Sequence, residues 1–135
     1  MKLLLINPNT TASMTAKAEA VARQVVRPGT QLIATNSKSG PVSIEGFYDV
    51  ACCLPGLLSE AARPGDVDAV VVLCFDDTGL DALRCLFEVP VIGIGEAAYH
   101  AATLVAHRFS VVTTLSRSVA GISDNLKRYG LDSRC

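Results

Sequence analysis

The chain has 135 residues, half of them hydrophobic, and a formal net charge of −1. That suffices for one compact domain with a real core, and no basic surplus suggests nucleic acid as a partner. No apolar run approaches the roughly 20 residues of a membrane span, and the five cysteines, odd in number and without a C-x-x-C spacing, fit reduced thiols in the cytoplasm better than a disulfide framework.

Lys2–Ile6 reads as a first strand, cut short by Asn7-Pro8-Asn9-Thr10. That abrupt end, after a single positive charge, argues against a signal peptide. Asn9 or Thr10 is suited to cap the next helix, in which Met14, Ala18, Val21, Ala22 and Val25 recur at helical spacing until Arg27-Pro28-Gly29 stops it. Gln31–Thr35 is a second strand. The polar loop from Asn36 to Gly46 is longer than a plain strand-to-helix turn, and such loops are usually functional. A helix from about Phe47 to Ala62 contains Pro55, which predicts a kink or a restart with the proline in a first turn. Cys52-Cys53 in this helix, and Cys85 further on, read as packing residues.

The third strand begins near Ala69 with a continuous β-branched run and ends at Cys74, a pattern expected of a strand buried on both faces in a parallel sheet. Asp76, Asp77 and Thr78 read as caps of the helix Leu80–Phe87. Val89–Ile94 gives a fourth strand. Gly95-Glu96 open a small-residue helix with Ala98, Ala101, Ala102 and Val105 on one face. Phe109–Thr113 reads as a fifth strand. Ser116 then caps a last helix striped by Val119, Ile122, Leu126 and Tyr129 and ended by Gly130. Five strand–helix units in succession predict an α/β fold, a parallel sheet with helices on both faces.

Ligands of open α/β sheets bind at the carboxyl ends of the strands. Three such junctions are polar here: Asn7–Thr10, Cys74–Thr78 and Thr113-Thr114, with Ser43–Gly46 placed to lie over them. Cys74 sits where a strand ends and a helix is about to begin, so the coming backbone N–H groups favour its thiolate, while ionised Asp76 and Asp77 oppose it. A free cysteine there is also an ordinary space-filler. The junctions contain no lysine or arginine, so a small anionic or imide-like ligand would meet neutral donors.

Leu-Leu-Ile-Asn-Pro-Asn-Thr, Cys-Phe-Asp-Asp-Thr-Gly-Leu, Val-Ile-Gly-Ile-Gly-Glu-Ala-Ala and Phe-Ser-Val-Val-Thr-Thr-Leu together resemble the hydantoin racemases of the aspartate/glutamate racemase superfamily, with allantoin racemases as near relatives. The resemblance runs through the whole chain in order. It implies a cofactor-independent reaction on a small molecule, in which two cysteines on opposite faces of an acidic carbon remove and return its proton. A base and an acid within hydrogen-bond reach on opposite faces is what inversion requires. By this resemblance Cys74 is the first catalytic cysteine. Asn9 and Thr10 form the substrate-side turn, Ser43 and Ile44 the wall that meets the 5-substituent, Phe75 and Asp76 the backbone lining, and Thr113 and Thr114 the facing turn.

Members of that family have two α/β lobes, with the second cysteine late in the second. The expectation is therefore a first lobe at 1–96 and an incomplete start of a second at 97–135. Cys135, the final residue, receives no catalytic role. An apolar face or strand edge should remain exposed and drive self-association as a homo-oligomer. A catalytically inactive lobe that binds ligand or a partner is the reading from another class. Allantoin, or a small dicarboxylate, is the alternative substrate within the superfamily. Three other readings fail on residues. A cysteine phosphatase needs arginine where Leu80 stands, a phospho-receiver needs acids where Asn7-Pro8-Asn9 stands, and a dinucleotide site needs a glycine-rich first turn. His100 and His107 lie about 10.5 Å apart along a helix, too far for one metal ion.

Overall fold

The computed structural model describes residues 1–135. Its elements are β1 (Lys2–Asn7), α1 (Ala12–Val25), β2 (Gln31–Asn36), α2 (Phe47–Ala61), β3 (Ala69–Val72), α3 (Leu80–Leu86), β4 (Val91–Gly93), α4 (Ile94–Val105) and α5 (Ser118–Arg128), then a 3-10 turn at Asp132–Arg134. Four strands form one parallel sheet in the order β2-β1-β3-β4. Leu4 pairs with Ile33 on one side and Val70 on the other, and Val71 pairs with Ile92. The chain moves outward from β1 to β2, then crosses back to β3 and on to β4. Right-handed crossovers put α1 on one face and α2 and α3 on the other. The direction reverses between β1 and β3, which makes their carboxyl ends the switch point where such sheets open a crevice.

Continuous aliphatic runs make the two central strands. Leu4, Ile6, Val70 and Val72 are wholly buried, packed with Leu57 and Ala61 of α2 and Leu80 and Leu83 of α3. Burying each of the larger side chains is worth about 1.5–3 kcal/mol. A second, smaller cluster is separate from this core: Tyr99 of α4 with Ile122 and Leu126 of α5, covered by Phe109, Val111, Tyr129 and Leu131.

Several local expectations are corrected. Phe109–Thr113 is not a fifth strand. Its side chains alternate between half-buried and exposed as in a strand, but no neighbour pairs with it, and its one link of this kind is Phe109 N–H donating to the Arg134 carbonyl at 3.0 Å. Periodicity is a property of the segment, whereas pairing needs a partner strand. On α1 the large members of the apolar stripe face outward: Met14, Val21 and Val25 are exposed, and Thr15 is the buried residue. The face turned to the sheet is the small one, with Thr15, Ala18 and Ala22, which allows the helix backbone to approach closely. On α4, Ala98, Ala101 and Val105 are likewise exposed, and the helix buries Tyr99 and Gly95 instead. Helix α2 runs through Pro55 without restarting, its packing face being Cys53, Gly56, Leu57, Glu60 and Ala61. Cys53 is buried as read, but Cys52 and Cys85 are exposed.

Exposed apolar surface is present. Ile92 and Ile94 at the β4 edge, Leu104 and Val105 of α4, and Val112 all stand open, the last three more than four-fifths exposed.

Candidate active site

Ile6 of β1 pairs with Val72 of β3, and the Leu73 N–H donates to the Ile6 carbonyl at 2.8 Å. The turns that follow the two strands therefore leave the sheet side by side at the switch point. One is Asn7–Thr10; the other begins at Cys74.

The first turn is built from buried amides. Asn7 Nδ2 donates to Asn9 Oδ1 at 2.9 Å and to Thr15 Oγ1 at 3.1 Å, while Asn7 Oδ1 accepts from the Asn9 N–H at 3.1 Å. Asn9 Oδ1 also accepts from the Thr11 N–H at 2.9 Å. Two donors on that one oxygen fix the rotation of the amide, so Asn9 presents its NH2 on the other side, where it donates to Met14 Sδ at 3.7 Å. Asn9 thus braces the start of α1 from outside, and the residue at the cap position is Thr11 rather than Asn9 or Thr10. Thr10 points elsewhere: its N–H and its hydroxyl both donate to the Pro41 carbonyl, at 3.0 and 3.3 Å. Thr11 Oγ1 donates to the Val42 carbonyl at 2.6 Å. The β2–α2 loop, with Ser43 and Ile44 half-buried within it, is thereby stitched to the first turn. Its far end is stitched to α5, where Arg117 Nη2 pairs with Glu45 Oε2 at 2.6 Å and Ser118 Oγ donates to the Glu45 carbonyl at 3.3 Å. Helix α5 begins at Ser118 with Arg117 before it, so Ser116 contributes its carbonyl, to the Val119 N–H, and no side-chain cap.

In the second turn Cys74 is half-buried, and its thiol donates to Thr78 Oγ1 at 3.6 Å. Burial pushes the thiol above its ordinary value, more than the Thr78 hydroxyl and the N–H groups of Asp76 and Thr78 pull it down; the Asp76 carboxylate adds to the rise. The expectation that helix N–H groups would favour the thiolate is thus outweighed. Helix α3 starts only at Leu80, behind a left-handed Gly79, and the donors that do reach the sulfur come from the turn itself. Cys53 lies behind the turn, raised to about 11 by burial and then by Cys74. Phe75 is partly exposed and meets Tyr99 edge-on, ring centroids 5.2 Å apart. The Asp76 carbonyl accepts from Asn125 Nδ2 at 2.7 Å, and its carboxyl is raised by burial and by Asp77.

Asp77 departs most from expectation. Neither it nor Asp76 nor Thr78 caps α3. Its carboxylate reaches the N-terminus of α4, where Oδ1 accepts from the Gly95 N–H at 2.9 Å and Oδ2 from the Glu96 N–H at 2.7 Å. Sequence reasoning missed this role because the two ends are nearly twenty positions apart. The signal present was the Gly93-x-Gly95 pair, since a side chain at either glycine would collide with this carboxylate.

A cavity of about 190 Å³ lies between this turn, the start of α2 and α5, lined by Asp76, Thr78, Gly79, Arg117, Asn125 and Arg128 among others. Of the candidate site residues it is Asp76 that lines it; Cys74, Asn9 and Ser43 do not. Thr113 is half-buried and Thr114 exposed, and no side-chain hydrogen bond ties either to the other turns. No group of three or more histidine, cysteine or acidic side chains converges as metal ligands, and no helix is long and apolar enough to cross a membrane.

A parallel α/β sheet with a thiol at its switch point defines a class, and comparison with known proteins gives the family. The sequence profile of Asp/Glu/hydantoin racemases matches residues 3–135, and the chain belongs to that family. It is 48% identical over 138 residues to a hydantoin racemase of Rhizobium meliloti, spanning all of this chain and 57% of that protein. It is 41% identical over 136 residues to a hydantoin racemase of Pseudomonas sp. (strain NS671), spanning 99% and 55%. The structure of an allantoin racemase from Klebsiella pneumoniae superposes with a TM-score of 0.95 at 44% identity, over all of this chain and 56% of that one. The chain thus spans little more than half the length of these relatives. The resemblance read from four separated motifs is the family found.

Proposed function

We propose that this chain carries one catalytic half of a cofactor-independent racemase acting on hydantoin-ring substrates, with Cys74 as one of two proton-transfer thiols. The observation that carries the reading is the placement of Cys74 beside the Asn7–Thr10 turn, at the switch point between β1 and β3. Relatives named for hydantoin and for allantoin both match. Allantoin is itself a hydantoin bearing a ureido group at C5, so the shared chemistry is an acidic C5–H next to a ring carbonyl.

Racemisation needs one thiol ionised and the other protonated, with the roles exchanged for the opposite enantiomer. A thiol held neutral by burial is ready to give a proton to C5. Once ionised, it is met by the Thr78 hydroxyl, which turns to donate. Proton removal leaves an enolate, and the Asn9 amide NH2 is a neutral donor suited to its oxygen. Thr10, Phe75, Asp76, Thr113 and Thr114 complete the substrate's surroundings in this reading, and Ser43 and Ile44 form the wall for the 5-substituent. The opposite-face thiol is assigned to the part of the relatives that this chain does not span, and the boundary between lobes to residue 96. The protein acts on a small molecule in the cytoplasm and assembles as a homo-oligomer.

The test offers enantiopure 5-substituted hydantoin and enantiopure allantoin to the protein in parallel, in deuterated water, and follows deuterium at C5. Exchange above the spontaneous rate for either, removed by Cys74→Ala, supports the reading and ranks the two substrates. Equal exchange with and without Cys74 sinks it. Binding of either ring without turnover would favour an inactive lobe.

A further inference from the structure

Asp77 is 3% exposed and sits at φ +51°, a left-handed conformation that residues other than glycine seldom take. Such a conformation persists where its surroundings over-determine it. Here they do so from two sides. The backbone of Asp77 closes the Cys74 turn: its N–H donates to the Cys74 carbonyl at 3.0 Å, and its carbonyl accepts from the Leu80 N–H at 3.1 Å. Its side chain is held elsewhere, by the Gly95 and Glu96 N–H groups of α4 and by Tyr129 Oη, just after α5, at 2.8 Å. Gly93 and Gly95 form the slot that admits the carboxylate. A Cβ at Gly95 would also strike the Phe75 carbonyl, one residue beyond the thiol.

We propose that Asp77 is the positioning residue of the Cys74 turn: docked in the Gly93/Gly95 slot, it fixes the turn that holds the Thr78 hydroxyl 3.6 Å from the sulfur and so sets the reactivity of the thiol. The inference rests on the reading of Cys74 as the proton-transfer thiol, but its test needs no substrate. Remove the anchor, and the turn relaxes from its left-handed form. The Thr78 hydroxyl, which opposes the effect of burial, then leaves the sulfur, and the thiolate becomes scarcer at a given pH. The charged and titratable groups that face this region are Asp76 in the turn, Cys53 of α2, Tyr99 and Glu96 of α4, Arg128 of α5 and Tyr129 just after it. All of them are retained when Asp77 alone is changed; the carboxylate's own charge, which opposes the thiolate, is lost with it, so a higher midpoint in Asp77→Asn reads the anchor alone, and Tyr129→Phe tests the anchor with that charge kept.

The experiment measures iodoacetamide alkylation of Cys74 against pH, peptide by peptide, on the full chain and on Asp77→Asn, with exposed Cys85 as the internal reference. The expected result is a midpoint for Cys74 about one pH unit higher and a rate roughly tenfold lower at pH 8, with Cys85 unchanged. A turn that is merely loosened would expose the thiol and speed its alkylation at every pH without moving the midpoint. That result, or a curve superimposed on the parent's, overturns the proposal. Should Asp77→Asn not fold, Tyr129→Phe removes one of the three donors and must move the midpoint the same way by a smaller amount; no movement overturns the proposal equally. Failure here with Cys74-dependent C5 exchange intact removes Asp77's role alone, whereas loss of Cys74-dependence in the exchange assay removes the reading beneath it.

Discussion

Tyr129 donates its hydroxyl to Asp77 Oδ2 at 2.8 Å, across 52 positions of sequence. The bond joins the end of α5 to the turn after β3, so the small aromatic cluster around Tyr99 and the main core are held in one arrangement. Tyr129→Phe should lower the unfolding free energy by about 0.5–1.5 kcal/mol, the usual net worth of one hydrogen bond. Asp77→Ala should cost about 3 kcal/mol, because three donors, one buried and two half-buried, lose their acceptor together. Urea denaturation of the two variants beside the parent reads both values. Equal costs would show that the two backbone N–H groups contribute nothing.

Asn7 holds the other turn. Its side chain makes three buried hydrogen bonds, to Asn9 and Thr15. Asn7→Ala should destabilise by about 1–3 kcal/mol and free the Asn9 amide to rotate. The denaturation midpoint checks the first effect. Loss of amide-proton protection at Asn9 and Thr11 checks the second.

Cys53 gives a pH dependence with a definite sign. Burial, then the neighbouring Cys74, raises its thiol from 9.0 to about 11. The folded state therefore binds this proton more tightly than the unfolded chain does. The resulting stability is complete below pH 9 and is lost as pH rises through about 11. Unfolding measured from pH 8 to pH 11 should fall less steeply for Cys53→Ala than for the parent. Parallel profiles would show that the thiol titrates alike in both states.

Leu104, Val105 and Val112 are open to solvent, and β4 is an unpaired strand edge. Exposed apolar surface and a free strand edge both favour association. Light scattering on the chain should give a mass that rises with concentration, and Leu104→Lys with Val112→Lys should lower it toward one chain. A constant monomer mass over a wide concentration range would remove this expectation.

Much of the fold is legible in the residues because it depends on local pattern. The aliphatic runs at Leu3–Ile6 and Ala69–Val72 could be little else than buried parallel strands, and the loops between them are bounded by Pro and Gly. Gly130 ends α5 as read, at φ +69°, with the Leu131 N–H reaching back to the Leu126 carbonyl at 2.8 Å. What was not legible depends on partners distant in sequence. Phe109–Thr113 has the alternation of a strand and nothing to pair with. The large residues of the α1 stripe face outward because the sheet accepts Thr15, Ala18 and Ala22 more closely than Met14 and Val21. Asp77 looks like a cap for the helix next to it and instead caps one that begins beyond a whole strand. That the turns carrying Asn9 and Cys74 leave strand ends was readable, because a strand end and a polar turn coincide at each. The electrostatic balance at Cys74 was not, since burial of the thiol is set by α2 and α3 together.

The central claim is that Cys74 moves the proton at C5, and exchange with solvent reads this most directly. The protein would be incubated with an enantiopure 5-substituted hydantoin in deuterated water while deuterium at C5 and optical rotation are followed together. The account predicts deuterium entering faster than the spontaneous rate and returning to that rate in Cys74→Ala. Exchange that never exceeds the spontaneous rate, or that persists undiminished without Cys74, would contradict it.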